Sequence, residues 1–174
     1  MPRVTALPLA TQMHASVVLG KRIYVMGGHN GLWSNKVCSA EIQDATGQLG
    51  TWRPERDMPD HIAYMGSSTE VVNNRIYIIG GATYPAGSSS DKINAGYAKS
   101  ALWTTVRPDG TLAEWQRSSD FPGVPVTCAA SCSTDRHLFL TGGFHRQQVL
   151  DQILVADLGV GDGGNVDADV DAAG

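Results

Sequence analysis

The side chains of this 174-residue chain that could do chemistry are few and scattered. Its five histidines are scattered, and local spacing pairs none of them with an acid or a nucleophile in the way that an acid–base pair or an activated nucleophile requires. Its three cysteines are an odd number, and no further cysteine or histidine stands at the spacing of zinc ligands. The sequence therefore predicts no catalytic residue, no metal site and no cofactor.

The cysteines do not predict a disulfide either. Cys128 and Cys132 are four residues apart in a predicted strand, which places them on one face of it about 13 Å from each other. A disulfide needs Cα atoms within about 7 Å, so this pair is too far apart. We expect buried free thiols.

Acidic residues near the C-terminus account for the net charge of −4. Residues 159–174 are rich in Asp, Gly and Ala, which favours a flexible tail, with a degenerate last strand as the alternative. Asp167, Asp169 and Asp171 are spaced like calcium ligands, but the glycine and the glutamate of a calcium loop are absent. The rest of the chain has balanced charge and lacks the basic surface that nucleic acids require.

The elements that would position a site are marked by a phrase that occurs three times, at 21–28, 74–81 and 136–143. It holds four consecutive apolar or aromatic residues and ends in paired glycines. A strand that is apolar on both faces needs neighbours on both, so its tandem repetition predicts stacked or radial sheets. Paired glycines predict a turn or a close approach of two backbones. The repeat positions are Tyr24, Tyr77 and Phe139, with Gly27, Gly28, Gly80, Gly81, Gly142 and Gly143.

Further strands are predicted on either side of the phrase. A short strand and a two-residue turn precede it, and a third strand follows it, at 37–42, 100–106 and 152–158. A Gly-x-Leu-x-x-Trp phrase then predicts a fourth strand, which ends in Trp52 in the first unit and Trp115 in the second. We expect both tryptophans to be wedged between neighbouring sheets.

The double glycine, the aromatic residue before it and the later tryptophan resemble the kelch repeat of β-propellers, which also builds the central domain of galactose oxidase. The resemblance covers about residues 7–158. It implies an all-β fold, a partial β-propeller of three kelch-type four-stranded antiparallel blades, at about 7–57, 58–120 and 121–158. Residues 1–6 would end a preceding blade or form a linker.

Three blades do not close a propeller ring, which has about 4–8 of them. We therefore expect the ring to be completed by the remaining blades of a longer chain or by self-association. The sequence has no long apolar stretch, so we expect no membrane span, and we recognise no signal peptide in this chain. The compartment stays open, with an extracellular or cell-surface location slightly favoured.

The antiparallel order of a blade places the loop after its second strand and the segment between blades on the same side of the ring. Residues 29–36, 82–92 and 144–148 fall there, joined by 56–64 and 118–125. The second and third glycine pairs are further apart than the first and second, which predicts a long mobile loop within residues 82–99. We expect this loop to tolerate deletion of residues 87–90. The candidate ligand-binding residues on this side are His29, Asn30, Trp33, His61, Tyr84, Phe144, His145 and Arg146.

The resemblance implies function only coarsely, because one fold serves many functions. We predict a binding module, a scaffold for a protein or glycan ligand. The alternative is part of a carbohydrate-acting propeller enzyme similar to galactose oxidase or to a sialic-acid mutarotase. By this resemblance galactose oxidase chemistry would need a tyrosyl–cysteine crosslink and a Tyr/His copper set, and no stretch of this chain matches that pattern.

Overall fold

The computed structural model describes residues 5–43, 45–85 and 96–159. All regular elements in these ranges are β-strands in antiparallel pairs, which confirms the predicted all-β class, and no helix in them is suited to cross a membrane. Residues 87–90 of the predicted mobile loop and the tail from residue 160 lie outside the described residues. The strands are β1 (Ala15–Leu19), β2 (Arg22–Met26), β3 (Val37–Gln43), β4 (Gln48–Leu49), β5 (Arg53–Pro54), β6 (His61–Ala63), β7 (Thr69–Val72), β8 (Arg75–Ile79), β9 (Ala82–Tyr84), β10 (Gly96–Tyr97), β11 (Ser100–Thr105), β12 (Gln116–Asp120), β13 (Ala130–Ser133), β14 (His137–Thr141), β15 (Phe144–His145), β16 (Gln148–Val149) and β17 (Ile153–Asp157).

Three of the sheets are the blades of a propeller. Blade 1 has the order β1-β2-β3-β4, with β5 also paired to β3. Blade 2 has the order β7-β8-β11-β12, and the described strands of blade 3 have the order β13-β14-β17. The first strands β1, β7 and β13 lie side by side, so the three sheets are arranged radially.

The fourth strand of a blade begins later than the sequence predicts. In blade 2 the Gly-x-Leu-x-x-Trp phrase is a turn with a single bridge at Leu112, and β12 begins at the residue after Trp115. In blade 1 the phrase holds only the short β4, and β5 begins after Trp52. The phrase turns because Gly110 has a φ of +77° and its carbonyl accepts the hydroxyl of Tyr24 in blade 1 at 2.8 Å.

Two apolar cores lie between the blades. The first core, between blades 1 and 2, contains Tyr24 of the repeated phrase together with Ile76 and Ile78 of blade 2. The second core, between blades 2 and 3, contains Tyr77, the counterpart of Tyr24. Phe139, the third aromatic residue of the phrase, is half-buried and belongs to neither core. Blades 1 and 2 therefore each pack their phrase against the blade that follows.

The paired glycines lie where the segment entering the next blade crosses the repeated phrase. A Cβ on Gly27 would lie 2.5 Å from the carbonyl oxygen of Ile62, and one on Gly80 would lie 2.5 Å from that of Val126. The N–H of the second glycine donates to the same carbonyl, at 2.8 Å in blade 1 and 2.9 Å in blade 2. Since no other residue leaves room for this crossing, the glycines join one blade to the next.

A buried polar cluster also links blades 1 and 2. The carboxylate of Glu55, whose side chain is 3% exposed, accepts hydrogen bonds from Ser39 at 2.6 Å and from Arg53 at 2.7 Å. Its second oxygen accepts the backbone N–H of Leu112 in blade 2 at 3.2 Å. A buried carboxylate needs such partners to offset its lost hydration, and here one of them comes from the next blade.

The two tryptophans that the sequence predicts to be equivalent differ in their surroundings. Trp115 is buried in the first core and donates its Nε1–H to the carbonyl of Arg56 at 3.1 Å. Trp52 is half-buried and belongs to neither core, and its Nε1 has no hydrogen-bond partner among the described residues. The difference arises because Trp115 faces blade 1, whereas no described blade lies in front of Trp52.

Candidate binding surface

The stretches after the paired glycines form a second layer of backbone pairing on one side of the blades. In blade 2, β9 pairs both with β6 of the entering segment and with β10. His29 in blade 1 bridges Gln12 and Trp33, and Phe144 in blade 3 bridges Thr127 and pairs within the β15–β16 hairpin. We name this side the loop face; it consists of residues 7–14, 28–36, 58–66, 81–85, 96–98, 121–129 and 143–150.

Four residues of this layer have a left-handed backbone although none of them is glycine, and three of them occupy equivalent places in the segments that enter the blades. Met13, Tyr64 and Cys128 have φ values of 55°, 60° and 53°. The N–H of Tyr64 donates to the carbonyl of Met13 at 2.9 Å, and the N–H of Cys128 donates to the carbonyl of Tyr64 at 3.3 Å. Each segment therefore turns at the same place and is tied to the segment before it. The residue types give no signal of this, because positive φ is uncommon outside glycine, asparagine and aspartate.

A cluster of rings joins blades 1 and 2 on the loop face. Trp33 stacks on Tyr84 with ring centroids 3.8 Å apart, and on His29 with centroids 5.3 Å apart. Tyr64 lies 5.9 Å from Trp33 and 6.0 Å from His29. The structure thus brings together three predicted site residues and adds Tyr64, which the sequence placed in an inter-blade segment but did not single out.

His29 and Trp33 are not the exposed contact residues that the sequence predicts. They are 6% and 5% exposed, because their rings pack under the loop face against those of blade 2. Both ring nitrogens of His29 and Nε1 of Trp33 are buried without a hydrogen-bond partner among the described residues. Residues 30–32 between them are exposed. The two rings therefore support this short loop from below and do not present themselves to a ligand.

Three further rings lie in two places on the loop face, one of them opposite Tyr84. His61 and Tyr84 are opposite each other in the β6–β9 pair, and both line an open cleft of about 640 Å³. His145 packs against Tyr97 with centroids 5.5 Å apart, and its Nδ1–H donates to the carbonyl of Pro125 at 2.6 Å. His145 is therefore held in place by blade 2 and by the segment that enters blade 3.

Asn30, Phe144 and Arg146 complete the predicted set. Asn30 and Arg146 are exposed in loops of blades 1 and 3, and Phe144 is half-buried. The predicted residues thus form separate groups on one face and not a single pocket. In the part of the chain that the structure describes, no group of three or more His, Cys, Asp or Glu side chains could hold a metal ion.

Exposed apolar side chains concentrate on the loop face. Seven large apolar residues of the described ranges are exposed, and five of them lie on this face. The five are Leu9, Met13, Leu32, Val124 and Val149, which are 38% to 80% exposed. The opposite side of the blades is made of hairpin turns with charged residues such as Arg107 and Arg136. Among the described residues, exposed large apolar side chains are therefore more frequent on the loop face than elsewhere.

The expectation of buried thiols is wrong for two of the three cysteines. Cys128 and Cys132 are exposed, because Cys128 lies in a turn and Cys132 points away from the second core in β13. Cys38 is half-buried in β3, where burial and the nearby carboxylate of Glu55 raise the pKa of its thiol.

Two thiols of the folded chain are therefore expected to react quickly with a thiol reagent near neutral pH, and the third slowly. The thiolate is the reactive form, so the raised pKa of Cys38 reduces its reactivity beyond the effect of burial. Mass spectrometry of the modified chain over time measures the two phases. The Cys38→Ser variant should lose only the slow phase, and a chain with a single fast thiol would contradict the exposed positions of Cys128 and Cys132.

Known proteins share both the repeat and the fold. The family model described as the kelch motif matches residues 10–59. Human Kelch repeat and BTB domain-containing protein 12 is 29% identical over 157 residues, which cover 82% of this chain and 23% of that protein. Human Kelch domain-containing protein 1 is 29% identical over 119 residues, which cover 66% of this chain and 26% of that protein. The chain thus spans about a quarter of the length of these two relatives.

The solved structure of YjhT has the same fold, with a TM-score of 0.67 at 14% identity over 90% of this chain and 46% of that chain. The radial antiparallel sheets and this likeness define a β-propeller chain. The matched motif, these relatives and this likeness support the predicted kelch-repeat β-propeller. Kelch repeats generally serve as protein-binding scaffolds.

Proposed function

We propose that this chain is a protein-binding module and that the loop face is its contact surface. One observation carries the proposal: five of the seven exposed large apolar side chains of the described residues lie on that face. Removing such side chains from water stabilises a complex by roughly 25 cal/mol per Å² of apolar area, before the costs of association. A protein partner offers matching apolar area, whereas a glycan offers mainly hydroxyl groups.

The architecture of the face supports the same proposal. Its strands are held by backbone hydrogen bonds within and between blades. Binding a partner would therefore cost little free energy for ordering this backbone. Among its charged groups Lys36 pairs with Asp57, and Asp60 pairs with Arg117. Arg146 is a further exposed charge on the face, so the partner is selected by apolar contact and shape together with a group that complements this arginine.

A glycan ligand is the second candidate, and the open cleft lined by His61 and Tyr84 favours it. An aromatic face beside a ring nitrogen is a combination that small-ligand sites use. A carbohydrate-acting enzyme similar to a sialic-acid mutarotase would also need an acid–base pair here, and one similar to galactose oxidase would need the copper set and the crosslink. Asp60 lines the cleft, but its carboxylate is paired with Arg117. We therefore rank the enzyme last.

Panning a displayed peptide library on the folded chain, beside a glycan array, separates the candidates. We expect apolar peptides to be enriched and to bind a Leu32→Ser, Val124→Ser variant at least about tenfold more weakly. Val18→Ser, which changes a valine 55% exposed outside the loop face, is the control and should bind them as the parent does. Glycan binding that Tyr84→Ala abolishes, with no peptide enriched, would reject the protein-binding proposal.

We also propose that the ring is completed beyond the described residues, by further blades of a longer chain or by a second copy. Two contrasts support this. Trp115 Nε1 has a carbonyl of the preceding blade as its partner, whereas Trp52 Nε1 has none among the described residues. Tyr24 and Tyr77 are covered by the following blade, whereas Phe139 is half-buried.

The 174-residue polypeptide, made by itself, is expected to self-associate. Its two outer blades would otherwise leave in water the apolar faces that inner blades bury. Light scattering at micromolar concentration measures the mass of the particles. Pairs or larger assemblies are the expected result, and a well-folded monomer would contradict the need for further blades.

A further inference from the structure

The exposed loop between His29 and Trp33 contains the only Asn-Gly pair of the sequence, Asn30-Gly31. An asparagine in front of a glycine can close a ring on its own backbone, because the next backbone nitrogen can attack the amide carbon of the side chain. A side chain on the following residue crowds that attack, and glycine has none. In a folded protein the pair reacts only where the fold leaves the amide, the nitrogen and the peptide bond free to move.

The side-chain amide of Asn30 differs from those of the other asparagines that the structure describes. The amide N–H groups of Asn35, Asn73 and Asn74 each donate to a backbone carbonyl of a distant segment, at 2.5–2.9 Å. Asn30 is exposed, and its amide N–H groups have no such partner among the described residues. Because this nitrogen is the leaving group of the reaction, the amide of Asn30 is free to react and the other three are held.

The attacking nitrogen of Gly31 is unhindered as well. Its N–H has no acceptor in the described part of the chain, and a Cβ built at Gly31 would have no atom within 4 Å. The φ of Gly31 is +105°, which residues with a side chain rarely adopt, so this backbone requires glycine. At Asn35, by contrast, the next nitrogen belongs to Lys36 and donates to Oγ of Ser34 at 3.1 Å.

The loop itself is held by two long hydrogen bonds. The N–H of Asn30 donates to the carbonyl of Leu32 at 3.3 Å, and the N–H of Leu32 donates to Oδ1 of Asn30 at 3.4 Å. Bonds between N–H and O are usually about 2.7–3.2 Å long, so both are weak. The second bond folds the Asn30 side chain toward the C-terminal side of its own backbone, where the nitrogen of Gly31 lies. Small rotations of a weakly held loop are therefore enough to bring the two reacting atoms together.

We propose that Asn30 is a site of spontaneous deamidation and isomerisation. The nitrogen of Gly31 loses its proton and bonds to Cγ of Asn30, while the bond from Cγ to the amide nitrogen breaks. That nitrogen takes up a proton and leaves as ammonia, and a cyclic succinimide remains. Water then opens the ring, giving isoaspartate where it attacks the backbone carbonyl and aspartate where it attacks the side-chain carbonyl. The reaction consumes only water and changes no oxidation state.

Both products change the loop face at this point. Each places a carboxylate next to Leu32, which is 57% exposed. Isoaspartate also routes the backbone through the former side chain, which lengthens the loop between His29 and Trp33, two residues that bridge each other and stack their rings. The consequence for binding rests on the proposed function: a partner that covers Leu32 by apolar contact must also bury the new charge, and it loses affinity.

Peptide mapping of the folded chain after storage at mildly alkaline pH measures the reaction, since loss of a proton activates the nitrogen of Gly31. Trypsin releases residues 23–36, which contain both Asn30 and Asn35. We expect isoaspartate and aspartate at residue 30, formed within about tenfold of the rate in a free peptide of residues 27–34, and no reaction at Asn35. An isoaspartyl methyltransferase with labelled S-adenosylmethionine counts the isoaspartate, and a sample digested before storage corrects for reaction during digestion.

No product at residue 30, or a rate in the folded chain far below that of the free peptide, would overturn the proposal. Asn30→Gln is the matched variant, because it keeps the amide but must close a larger ring, and it should stay unmodified. Gly31→Ala should also slow the reaction, since a methyl group then crowds the attacking nitrogen.

The apolar peptides enriched by panning on the fresh chain test the effect on binding. We expect the stored chain to bind them at least about tenfold more weakly than the fresh chain, in proportion to the product at residue 30. Stored and fresh Asn30→Gln chains should bind them equally. Full modification without loss of binding would overturn the effect on the contact surface. Failure to enrich any peptide would reject the proposed function instead, while the peptide map still decides whether Asn30 reacts.

Discussion

Replacing Trp115 by alanine is expected to lower the free energy of unfolding by about 3–5 kcal/mol. The ring is 8% exposed and packs between blades 1 and 2, and its Nε1–H satisfies the carbonyl of Arg56 at 3.1 Å. Alanine loses the apolar contacts with both blades and leaves that carbonyl without its donor. Since a domain is stable by only about 5–15 kcal/mol, the melting temperature should fall sharply. Denaturant and thermal melts measure both quantities.

Trp52→Ala is the matched control for this variant. It makes the same chemical change in the same phrase, but Trp52 is half-buried and belongs to neither core. Its Nε1 also has no described partner to lose. We expect a clearly smaller loss than for Trp115→Ala. Equal losses would mean that the two tryptophans are covered alike in solution, against the packing described here.

Replacing Gly27 by alanine is the second change with a large expected effect. The new Cβ would lie 2.5 Å from the carbonyl oxygen of Ile62, which is backbone and cannot rotate away, and close to the ends of Met58 and Met65. Overpacking of this kind costs about 1–3 kcal/mol. The φ of +61° adds about 1–2 kcal/mol for a residue with a side chain. The two terms together should unfold the chain at a markedly lower denaturant concentration.

Gly20→Ala separates these two terms. Gly20 has a φ of +59°, nearly the same as Gly27, and a Cβ there would have no atom within 4 Å. Its loss of stability should therefore contain only the conformational cost. The difference between the two losses of stability measures the cost of the steric clash at Gly27, where the inter-blade segment crosses the repeated phrase. A difference near zero in a denaturant melt would show that the crossing can shift to make room.

Much of each blade is predictable because its signals are local. Four apolar residues in a row before two glycines predict a strand covered on both faces, and β2 and β8 are such strands. The sequence predicts the third strand at 37–42 from its place in the repeat, and it is observed as β3 (Val37–Gln43). The kelch resemblance extended these strands to radial blades, which the likeness to YjhT bears out.

The fourth strand was harder to predict, because its start depends on the neighbouring blade. Read locally, Gly-x-Leu-x-x-Trp in blade 2 is a strand beginning at a turn. Its glycine instead accepts the hydroxyl of Tyr24 in blade 1, and its leucine and tryptophan point into the first core. The strand β12 can start only after Trp115, where the chain leaves that interface.

By itself the sequence determined most of the repeated unit: the first three strands of each blade, the place of the paired glycines, and the stretches that share the loop face. Periodicity and backbone preference decide these features over a few residues. Only the tertiary structure decided which of the equivalent residues of the repeat are buried. Trp115 and Trp52 occupy the same place in the repeat, yet only Trp115 has a blade in front of it among the described residues.

The same holds for the loop face. The sequence placed His29, Trp33 and Tyr84 on one side of the molecule, but it could not show that the first two are buried beneath it. Their burial depends on blade 2, which places the ring centroid of Tyr84 3.8 Å from that of Trp33. Contacts between residues far apart in the chain form only when the blades pack, so no local pattern could encode them.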